Sequence, residues 1–370
     1  MRLLLTGGGT GGHVYPALAV VEALSSDARW AVDRREMAWV GGADSVEERI
    51  LAKEELTFYP IYVGALRGAS PLGTARSLYK MARGYRQARE LLREFRSDVV
   101  LATGGYVSVP LVWAARDMGC PALIYLPDMQ PGLAVKLLSR LAQRVAVSFE
   151  SVARYFPRDK VVVSGYPVRQ ALFSTSKEAA RQMLDLRDEP AVLLIFGGSR
   201  GAHSINEAVR QALEPLLEIS QIVHISGPED YQSLANMRER LPPALQARYH
   251  LYSYLYERMT AALVAADVVV ARAGAATLGE FPAAGLPAIL VPYPYAGQHQ
   301  QVNAEYLTSR GAALVIRDAE LGTRLLSVVT DLLSDPGRLQ AMSSSARSLA
   351  VPGAAERIAA ELVSLAERRS

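Results

Sequence analysis

This sequence has a single cysteine and no large excess of charge of one sign. Cys120 is the only cysteine in 370 residues, which excludes a disulfide framework and a cysteine-based metal site and fits a reducing cytoplasm. Basic and acidic residues nearly balance at 40 and 37, with a net charge of +3. Because nucleic-acid binding leaves a strongly basic footprint, we expect no nucleic acid among the partners.

Long hydrophobic runs are also missing. The longest candidate, Ala261–Ala271, is interrupted by Asp267 and is shorter than the ~18 residues of a membrane span. The apolar residues Leu3–Leu5 run directly into glycines, so this stretch is too short for the apolar region of a signal peptide. We therefore expect a cytoplasmic protein that meets a membrane, if at all, from its surface.

The sequence does contain a regular alternation of short apolar runs and amphipathic helical segments. Many runs are continuous and β-branched, as parallel strands covered on both faces are. Alternating strands and helices predict a doubly wound parallel sheet, and the strands are too many for one ordinary sheet. The predicted strands are Leu3–Thr6, Met37–Val40, Phe58–Ile61, Val99–Thr103, Ala122–Tyr125, Arg144–Val147, Val161–Val163, Val192–Phe196, Ile222–Ser226, His250–Tyr252, Val268–Ala271, Ala288–Val291 and Ala313–Ile316.

Two stretches of the chain resemble each other. Asp98–Gly105 leads to Gly119–Ile124, and Asp267–Gly274 leads to Gly285–Leu290 in the same pattern. This repetition predicts an α/β protein of two Rossmann-like, doubly wound parallel-sheet domains, joined near Ser164–Arg169. Ligands of such sheets bind at the carboxyl ends of strands, so we expect the glycine loops of the two halves to face a shared cleft.

The first glycine-rich turn, Gly7–Gly12, follows the first strand. It precedes a predicted helix over Val14–Leu24 with Pro16 in its first turn. Strand, glycine turn and helix form a phosphate cradle, because the helix N-terminus offers free N–H groups and partial positive charge. The turn also satisfies G-x-G-x-x-G. A dinucleotide site, however, needs an acidic residue about 20 positions later, and the only candidate, Asp44, lies further away. A tight turn without a ligand remains an alternative.

Three further loops of this kind follow predicted strands: Gly104–Tyr106, Gly197–Gly201 and Ala273–Thr277. A nicotinamide-dependent oxidoreductase requires only one such loop. Four loops in two similar halves favour two separate phosphate-bearing ligands, one in each domain.

The segment from Arg67 to Arg96 is basic, with Glu90 and Glu94 as its only acids. Apolar residues at helical spacing predict one packed helix face, formed by Leu78, Met81, Tyr85, Ala88, Leu92 and Phe95. The other side and the preceding loop predict a contact with anionic lipid through Leu66, Leu72, Arg76, Lys80, Arg83 and Arg86. A core helix with a solvated basic back is the alternative, and the two can coexist.

Taken together, these motifs closely resemble those of the MurG family, the N-acetylglucosamine transferases that act on undecaprenyl-diphosphate-linked N-acetylmuramyl pentapeptide. The resemblance covers essentially the whole chain in order. Its motifs are Gly8–His13, Pro16–Ala19, Gly64–Gly68, Gly104–Ser108, Tyr166–Arg169, Gly197–Ala202, Met259, Arg272–Thr277, Glu280, Ala283–Pro287, His299–Gln300 and Asn303–Ala304.

The resemblance implies a GT-B glycosyltransferase. Residues 1–164, with a returning C-terminal helix in 352–370, would bind the acceptor and the membrane, and residues 165–351 would bind the donor, UDP-N-acetylglucosamine. In the donor domain, Glu280 would accept hydrogen bonds from the ribose hydroxyls. The other donor-binding residues would be Arg169, Ser199, Arg200 and Gly201 at the diphosphate, and Ala276, Thr277 and Gln300 at the sugar. A solvated helix residue, a surface charge and a polar helix start are the alternatives for Glu280, Arg169 and Gln300.

The implied acceptor is a polyprenyl-diphosphate-linked sugar. Its binding residues would be Thr10, Gly11, Gly12, Gly104, Gly105, Tyr106 and Asp128. His13 is the candidate general base, because histidine exchanges protons near neutral pH, and a turn-capping or phosphate-binding histidine is the alternative. The implied reaction is an in-line displacement with inversion, and no metal or other cofactor is expected. The implied location is the cytoplasmic face of the cell membrane.

One stretch departs from the family pattern. The family usually has His-Glu-Gln-Asn after the strand at Ala122, whereas this chain has Tyr125-Leu126-Pro127-Asp128. Only Asp128 can replace one of those polar groups, so acceptor identity is less secure than donor identity. A related transferase with another polyprenyl-linked or diacylglycerol acceptor is therefore an alternative. A nicotinamide-dependent oxidoreductase and a non-catalytic nucleotide-sugar binder are alternatives of other classes.

Overall fold

The computed structural model describes residues 1–8, 11–64, 71–198, 201–256, 258–294 and 299–369, with the backbone alone for 71–75. Thr10, Leu66, Ser199 and Arg200 lie outside the described residues, and Leu72 is described by its backbone only. The chain divides into two compact units. The first comprises Met1–Arg169 with Pro352–Ser370, and the second comprises Gln170–Val351. The boundary predicted from the sequence lies after Ser164, within the predicted junction Ser164–Arg169.

The first unit contains a seven-stranded parallel sheet. Its strands are β1 (Leu3–Thr6), β2 (Met37–Gly41), β3 (Thr57–Pro60), β4 (Val99–Ala102), β5 (Ala122–Leu126), β6 (Arg144–Val147) and β7 (Val161–Val163). They lie in the order β3-β2-β1-β4-β5-β6-β7. The helices of this unit are α1 (Gly11–Ser26), α2 (Val46–Leu51), α3 (Pro71–Phe95), α4 (Ser108–Asp117), α5 (Leu133–Leu141), α6 (Glu150–Ala153) and α18 (Ala354–Glu367), with a 3-10 turn at Arg34–Glu36.

The second unit contains a six-stranded parallel sheet. Its strands are β8 (Val192–Phe196), β9 (Gln221–Ile225), β10 (Tyr249–Tyr252), β11 (Val268–Ala271), β12 (Ala288–Leu290) and β13 (Ala313–Val315), in the order β10-β9-β8-β11-β12-β13. Its helices are α7 (Ala171–Ser174), α8 (Lys177–Met183), α9 (His203–Gln211), α10 (Leu213–Ile219), α11 (Pro228–Arg238), α12 (Pro243–Gln246), α13 (Met259–Ala265), α14 (Glu280–Ala284), α15 (His299–Thr308), α16 (Leu321–Leu333) and α17 (Pro336–Ser348), with 3-10 turns at Ala275–Leu278 and Asp318–Glu320.

Both sheets confirm the predicted fold class of doubly wound, Rossmann-like domains. Alternate residues of β1 enter different cores. Leu3 and Leu5 pack with α1 and α18, whereas Leu4 packs with residues of α3 and α4. A strand covered on both faces has no solvated side, which explains why these strands are continuously apolar in sequence.

The C-terminal helix α18 packs on the first unit. Ile358, Leu362 and Leu365 are buried in the same core as α1. Its Arg357 Nε donates to the carbonyl of Ser164 at 2.8 Å, and its Glu361 forms an ion pair with Arg144. The last helix of the chain therefore closes one face of the first sheet.

Two sequence expectations about helices were wrong in detail. Helix α1 begins at Gly11 rather than Val14, so Pro16 lies inside the helix and has no N–H to donate to the carbonyl of Gly12. Leu78 was expected on the packed face of α3, but it is 55% exposed, and the neighbouring Tyr79 is 64% exposed. In the part of α3 whose side chains are described, the buried residues come later: Gly84, Ala88, Leu91 and Leu92.

Candidate active site

In the first unit, three loops leave the sheet at one edge. Strands β1, β4 and β5 are adjacent and parallel, so the residues after their carboxyl ends lie side by side. Gly11 and Gly12 begin α1 after β1, Gly104 and Gly105 follow β4, and Asp128 follows β5. The structure thus brings together, at this edge, the described residues that the sequence predicted for the acceptor, including the half-buried Tyr106.

The first two loops touch each other. Gly104 and Gly105 have φ values of +112° and +83°, which L side chains rarely adopt. A Cβ on Gly104 would lie 3.2 Å from His13 Cε1, and one on Gly105 would lie 2.8 Å from the carbonyl oxygen of Gly8. Glycine is therefore required here by both backbone conformation and close approach.

His13 is half-buried in the first turn of α1, and its orientation is fixed by one contact. Its Nδ1 lies 2.7 Å from the carbonyl oxygen of Thr103, the residue after β4. Because a carbonyl oxygen can only accept, Nδ1 must carry the proton and donate it. In the neutral ring, Nε2 then carries the lone pair. The geometry therefore prepares Nε2 to accept a proton.

The divergent stretch at Tyr125 is mostly core. Tyr125 is fully buried at the end of β5, and its hydroxyl lies 2.7 Å from the Oγ of Ser148. Burial raises the pKa of Tyr125 well above its usual value, so the phenol stays neutral. Leu126 is also buried, which leaves the half-buried Asp128 as the polar side chain of this stretch at the sheet edge.

Glu47, the second residue of α2, was not among the predicted site residues. Its side chain is 4% exposed and so close to the first glycine loop that a Cβ on Gly8 would lie 2.2 Å from its Oε1. A buried carboxylate beside a glycine loop is unusual because burial disfavours charge. The available sequence signal was a serine followed by acidic residues, Ser45 before Glu47 and Glu48, which is typical of a helix start.

In the second unit, the loops after β8, β9, β11 and β12 also leave one sheet edge, because these strands are parallel neighbours. Gly201 has a φ of +81°, and a Cβ on it would lie 2.2 Å from the carbonyl oxygen of Ser226, the residue after β9. Helix α9 then begins at His203. The glycine loop is thus packed directly on the neighbouring turn, and an α-helix N-terminus follows it.

Arg272 joins three of these loops, a role that the sequence analysis did not assign. Its Nη2 donates to Ser204 Oγ in α9 at 2.7 Å, and its Nη1 donates to the carbonyl of Val291 at 3.2 Å. It also pairs with Asp318, and its guanidinium lies 5.2 Å from the ring centre of Tyr293. An arginine directly after a buried strand was the available signal.

The remaining predicted donor residues lie on the same edge. Ala276 and Thr277 form a 3-10 turn, and Glu280 begins α14 and is half-buried. The Thr277 hydroxyl is buried and donates to the carbonyl of Gly274 at 2.8 Å. Gln300 is the second residue of α15, and its Oε1 accepts from the backbone N–H of Tyr293 at 2.8 Å.

Arg169 is the last residue of the first unit, and it pairs there with Glu54 of the same unit. Glu22 is nearby, and burial raises the pKa of its carboxyl group while the Arg169 charge opposes that rise. The partner found for this predicted donor residue is therefore a carboxylate of the first unit. Within the described part of the chain, no three His, Cys, Asp or Glu side chains gather to hold a metal ion.

Two family models match the chain. The glycosyltransferase family 28 N-terminal domain matches residues 3–147, and the family 28 C-terminal domain matches residues 192–358. Curated proteins that match are named UDP-N-acetylglucosamine–N-acetylmuramyl-(pentapeptide) pyrophosphoryl-undecaprenol N-acetylglucosamine transferase. One from Roseiflexus sp. is 41% identical over 100% of this chain and 96% of its own length. Another from Halothermothrix orenii is 40% identical over 96% of each.

Solved structures agree with these matches. The crystal structure of Acinetobacter baumannii MurG is 28% identical, has a TM-score of 0.70, and the match covers 98% of this chain and 99% of that one. A UDP-GlcNAc 2-epimerase from Neisseria meningitidis has a TM-score of 0.68 over 98% of this chain and 100% of its own, but at 16% identity it shows the fold alone. With whole-length identity of this size and both domain models matched in order, the chain belongs to the MurG family of family 28 glycosyltransferases.

Proposed function

We propose that this protein transfers N-acetylglucosamine from UDP-N-acetylglucosamine to undecaprenyl-diphosphate-linked N-acetylmuramyl pentapeptide, with inversion at the anomeric carbon. The printed names of relatives up to 41% identical over the whole chain support the substrates. The observation that carries the chemistry is the hydrogen bond from His13 Nδ1 to the carbonyl of Thr103, because it leaves Nε2 as a proton acceptor at the edge that holds both glycine loops.

On the acceptor side, the first turn of any α-helix leaves backbone N–H groups without intrahelical partners, and at α1 these would suit the diphosphate. Gly11 and Gly12 would supply them, with Thr10, Gly104, Gly105 and Tyr106 beside them. His13 Nε2 would take the proton of the attacking sugar hydroxyl as the new glycosidic bond forms. Asp128 follows β5, the neighbour of β4 in the sheet, and would contact the same sugar.

On the donor side, Gly201 and the start of α9 would bind the diphosphate of the nucleotide sugar, with Ser199 and Arg200 in the same loop. The Glu280 carboxylate would accept hydrogen bonds from both ribose hydroxyls. Ala276, Thr277 and Gln300 would contact the sugar. As the bond to the anomeric carbon breaks, UDP departs with its charge stabilised by N–H groups and by Arg169, which would exchange the Glu54 carboxylate for phosphate.

The membrane proposal is carried by an exposed surface of the first unit. Helices α3 and α4 pack together there, and Tyr85 meets Trp113 edge to face with ring centres 6.2 Å apart. Its exposed apolar residues are Leu78, Tyr79, Trp113, Leu133 and Leu137. Its exposed basic residues are Arg76, Arg83, Arg86, Arg116, Lys136 and Arg140, while Lys80 is half-buried.

A surface with both exposed apolar and exposed basic side chains fits an anionic lipid bilayer at the cytoplasmic face. None of the helices described here is long and apolar enough to span a bilayer. The predicted residue Leu66 lies outside the described residues, and the side chain of Leu72 is not described. We propose that Trp113, Leu133 and Leu137 contribute apolar contacts that the sequence analysis did not include.

The experiment is a transfer assay with purified protein. UDP-N-acetylglucosamine is supplied with a polyprenyl-diphosphate N-acetylmuramyl-pentapeptide analogue, and UDP release and the disaccharide product are measured. Matched reactions contain a polyprenyl-diphosphate sugar without the muramyl peptide, or diacylglycerol. Transfer to the muramyl acceptor supports the proposal. Absence of transfer to it, with transfer to either other acceptor, would replace this function with the acceptor variant that the Tyr125–Asp128 stretch favours.

A further inference from the structure

A histidine lies fully buried near the end of β9 with both ring nitrogens hydrogen-bonded. His224 Nε2 lies 3.0 Å from Asn206 Oδ1, and its Nδ1 lies 2.8 Å from the Tyr249 hydroxyl. An amide oxygen only accepts, so Nε2 donates to Asn206 and Nδ1 accepts from Tyr249. Burial lowers the pKa of His224 to about 3, which keeps the ring neutral.

Asn206 extends this chain of hydrogen bonds towards the predicted donor site. Its Nδ2 donates to the carbonyl of Ser226 at 2.8 Å and to Asp230 Oδ2 at 2.7 Å. Asp230 Oδ1 in turn lies 2.9 Å from Nδ1 of His203, the first residue of α9. We name the five linked residues the α9 clamp: Tyr249, His224, Asn206, Asp230 and His203.

The α9 clamp meets the glycine loop at one atom. The carbonyl oxygen of Ser226, which accepts from Asn206, is also the atom against which Gly201 packs. Asn206 lies one turn into α9, so it holds both the start of the helix and the Ser226 carbonyl against which the glycine loop packs. If Asn206 shifts, the hydrogen bond that joins the helix N-terminus to the Ser226 carbonyl beside the loop is lost.

Polar side chains are a costly way to fill a core. Asn206, His224 and Tyr249 are 3%, 0% and 1% exposed, and apolar residues would pack there without needing partners. What the clamp adds is a fixed relative position of these residues, because each hydrogen bond has only one compatible donor and acceptor arrangement. The hydrogen bonds extend to the first residue of α9, and the carbonyl of Ser226 links them to Gly201.

We propose that the α9 clamp positions the donor-binding loop. Asn206, His224 and Asp230 are positioning residues that hold Gly201 and the N-terminus of α9 in the geometry that receives the donor diphosphate. This inference rests on the proposed function of the second unit. It assigns a role to five residues whose clamp hydrogen bonds are all made within the protein and not to the nucleotide sugar.

The test compares nucleotide-sugar binding with stability. We would measure the Kd of UDP-N-acetylglucosamine by calorimetry, the acceptor KM, and the melting temperature for Asn206→Ala, Asp230→Ala and Asp230→Asn. Asn206→Ala should raise the donor Kd about tenfold or more, or ~1.4 kcal/mol, without changing the acceptor KM. Asp230→Asn should recover most of the affinity lost in Asp230→Ala, because an amide oxygen can still accept from Asn206 and neutral His203 can accept from the amide.

His250→Ala is the matched control. His250 lies on β10 next to Tyr249, is partly buried, and its Nε2 has no hydrogen-bond partner among the described residues. This variant should lower the melting temperature but keep the donor Kd of the wild type. If it instead raises Kd as Asn206→Ala does, binding follows stability alone and the positioning role is refuted.

The outcomes separate the two proposals. A wild-type protein that does not bind UDP-N-acetylglucosamine refutes the proposed function, and the clamp inference with it. A wild-type protein that binds, together with Asn206→Ala and Asp230→Ala variants that bind equally well, refutes the clamp alone. Should Asn206→Ala fail to fold, Asp230→Ala decides, because Asp230 is partly exposed on α11 and its replacement removes no core packing.

Discussion

Gly104 offers the sharpest test of the catalytic geometry, because a single added methyl group reaches the proposed base. Its φ of +112° makes any other residue strained, at about 1–3 kcal/mol. The new Cβ of Gly104→Ala would lie 3.2 Å from His13 Cε1, closer than ordinary van der Waals contact. The imidazole or the loop must therefore give way by a few tenths of an ångström, which disturbs the hydrogen bond from His13 to the Thr103 carbonyl.

The expected loss of activity follows from that movement. General acid–base catalysis contributes about 10²–10⁴-fold, and a misplacement of about 1 Å can cost about 10²-fold, so a shift of a few tenths of an ångström should cost roughly tenfold. We therefore expect kcat of Gly104→Ala to fall about tenfold while the donor KM stays within about twofold, since the donor is assigned to the other unit. UDP release at saturating substrates measures the first quantity, and urea unfolding measures the strain.

Gly119→Ala is the matched control. Gly119 also has a positive φ, +67°, but a Cβ there would have nothing within 4 Å. Its strain is about 1–2 kcal/mol, so the two variants lose comparable stability, but only Gly104→Ala should lose kcat. If Gly104→Ala turns over like the wild type, His13 Nε2 is not the base, and the reasoning from the Thr103 hydrogen bond fails.

Three further predictions follow from the same structure. Glu280→Ala should weaken UDP binding by about 1.5–3 kcal/mol, the scale of hydrogen bonds to a charged group, and an unchanged Kd would remove Glu280 from the ribose role. Tyr125→Phe should cost about 1 kcal/mol in urea unfolding and leave transfer intact, because the hydroxyl bonds within the core; a loss of transfer would contradict this placement. Replacing three exposed arginines, Arg76, Arg83 and Arg86, with Glu should abolish sedimentation with anionic vesicles at low salt, because each basic residue contributes about 1 kcal/mol to binding. The same variant should preserve UDP binding. Vesicle binding that persists would show that α3 is only a core helix.

The sequence by itself determined the secondary structure of the two sheets and the edges that carry the loops. Each of the predicted strands is present, with ends that differ by about one residue, as is usual for strand and helix ends. Parallel strands covered on both faces must be continuously apolar, so they are visible without any knowledge of their partners. Glycine loops after such strands mark the carboxyl edge for the same local reason.

Only the tertiary structure decided which side chains face solvent along α3. The stripe containing Leu78 has the period of a packed helix, but α3 has 25 residues and spans about 37 Å, whereas the four-residue strands beneath it span about 13 Å. The C-terminal part of the helix packs on the sheet and α4, whereas Leu78, nearer the other end, is 55% exposed. The spacing of apolar residues predicts which face of a helix can pack, but it does not predict how far along the helix the packing surface of its neighbours extends.

Long-range contacts decided the chemistry of the site. The tautomer of His13 depends on Thr103, which is 90 positions away, and the partner of Arg169 is Glu54, 115 positions away. The α9 clamp joins residues of α9, β9, β10 and α11 that are no motif in sequence. Residue type and spacing fix local structure because those forces act over a few residues, whereas hydrogen-bond partners are set by which strands become neighbours in the folded sheet.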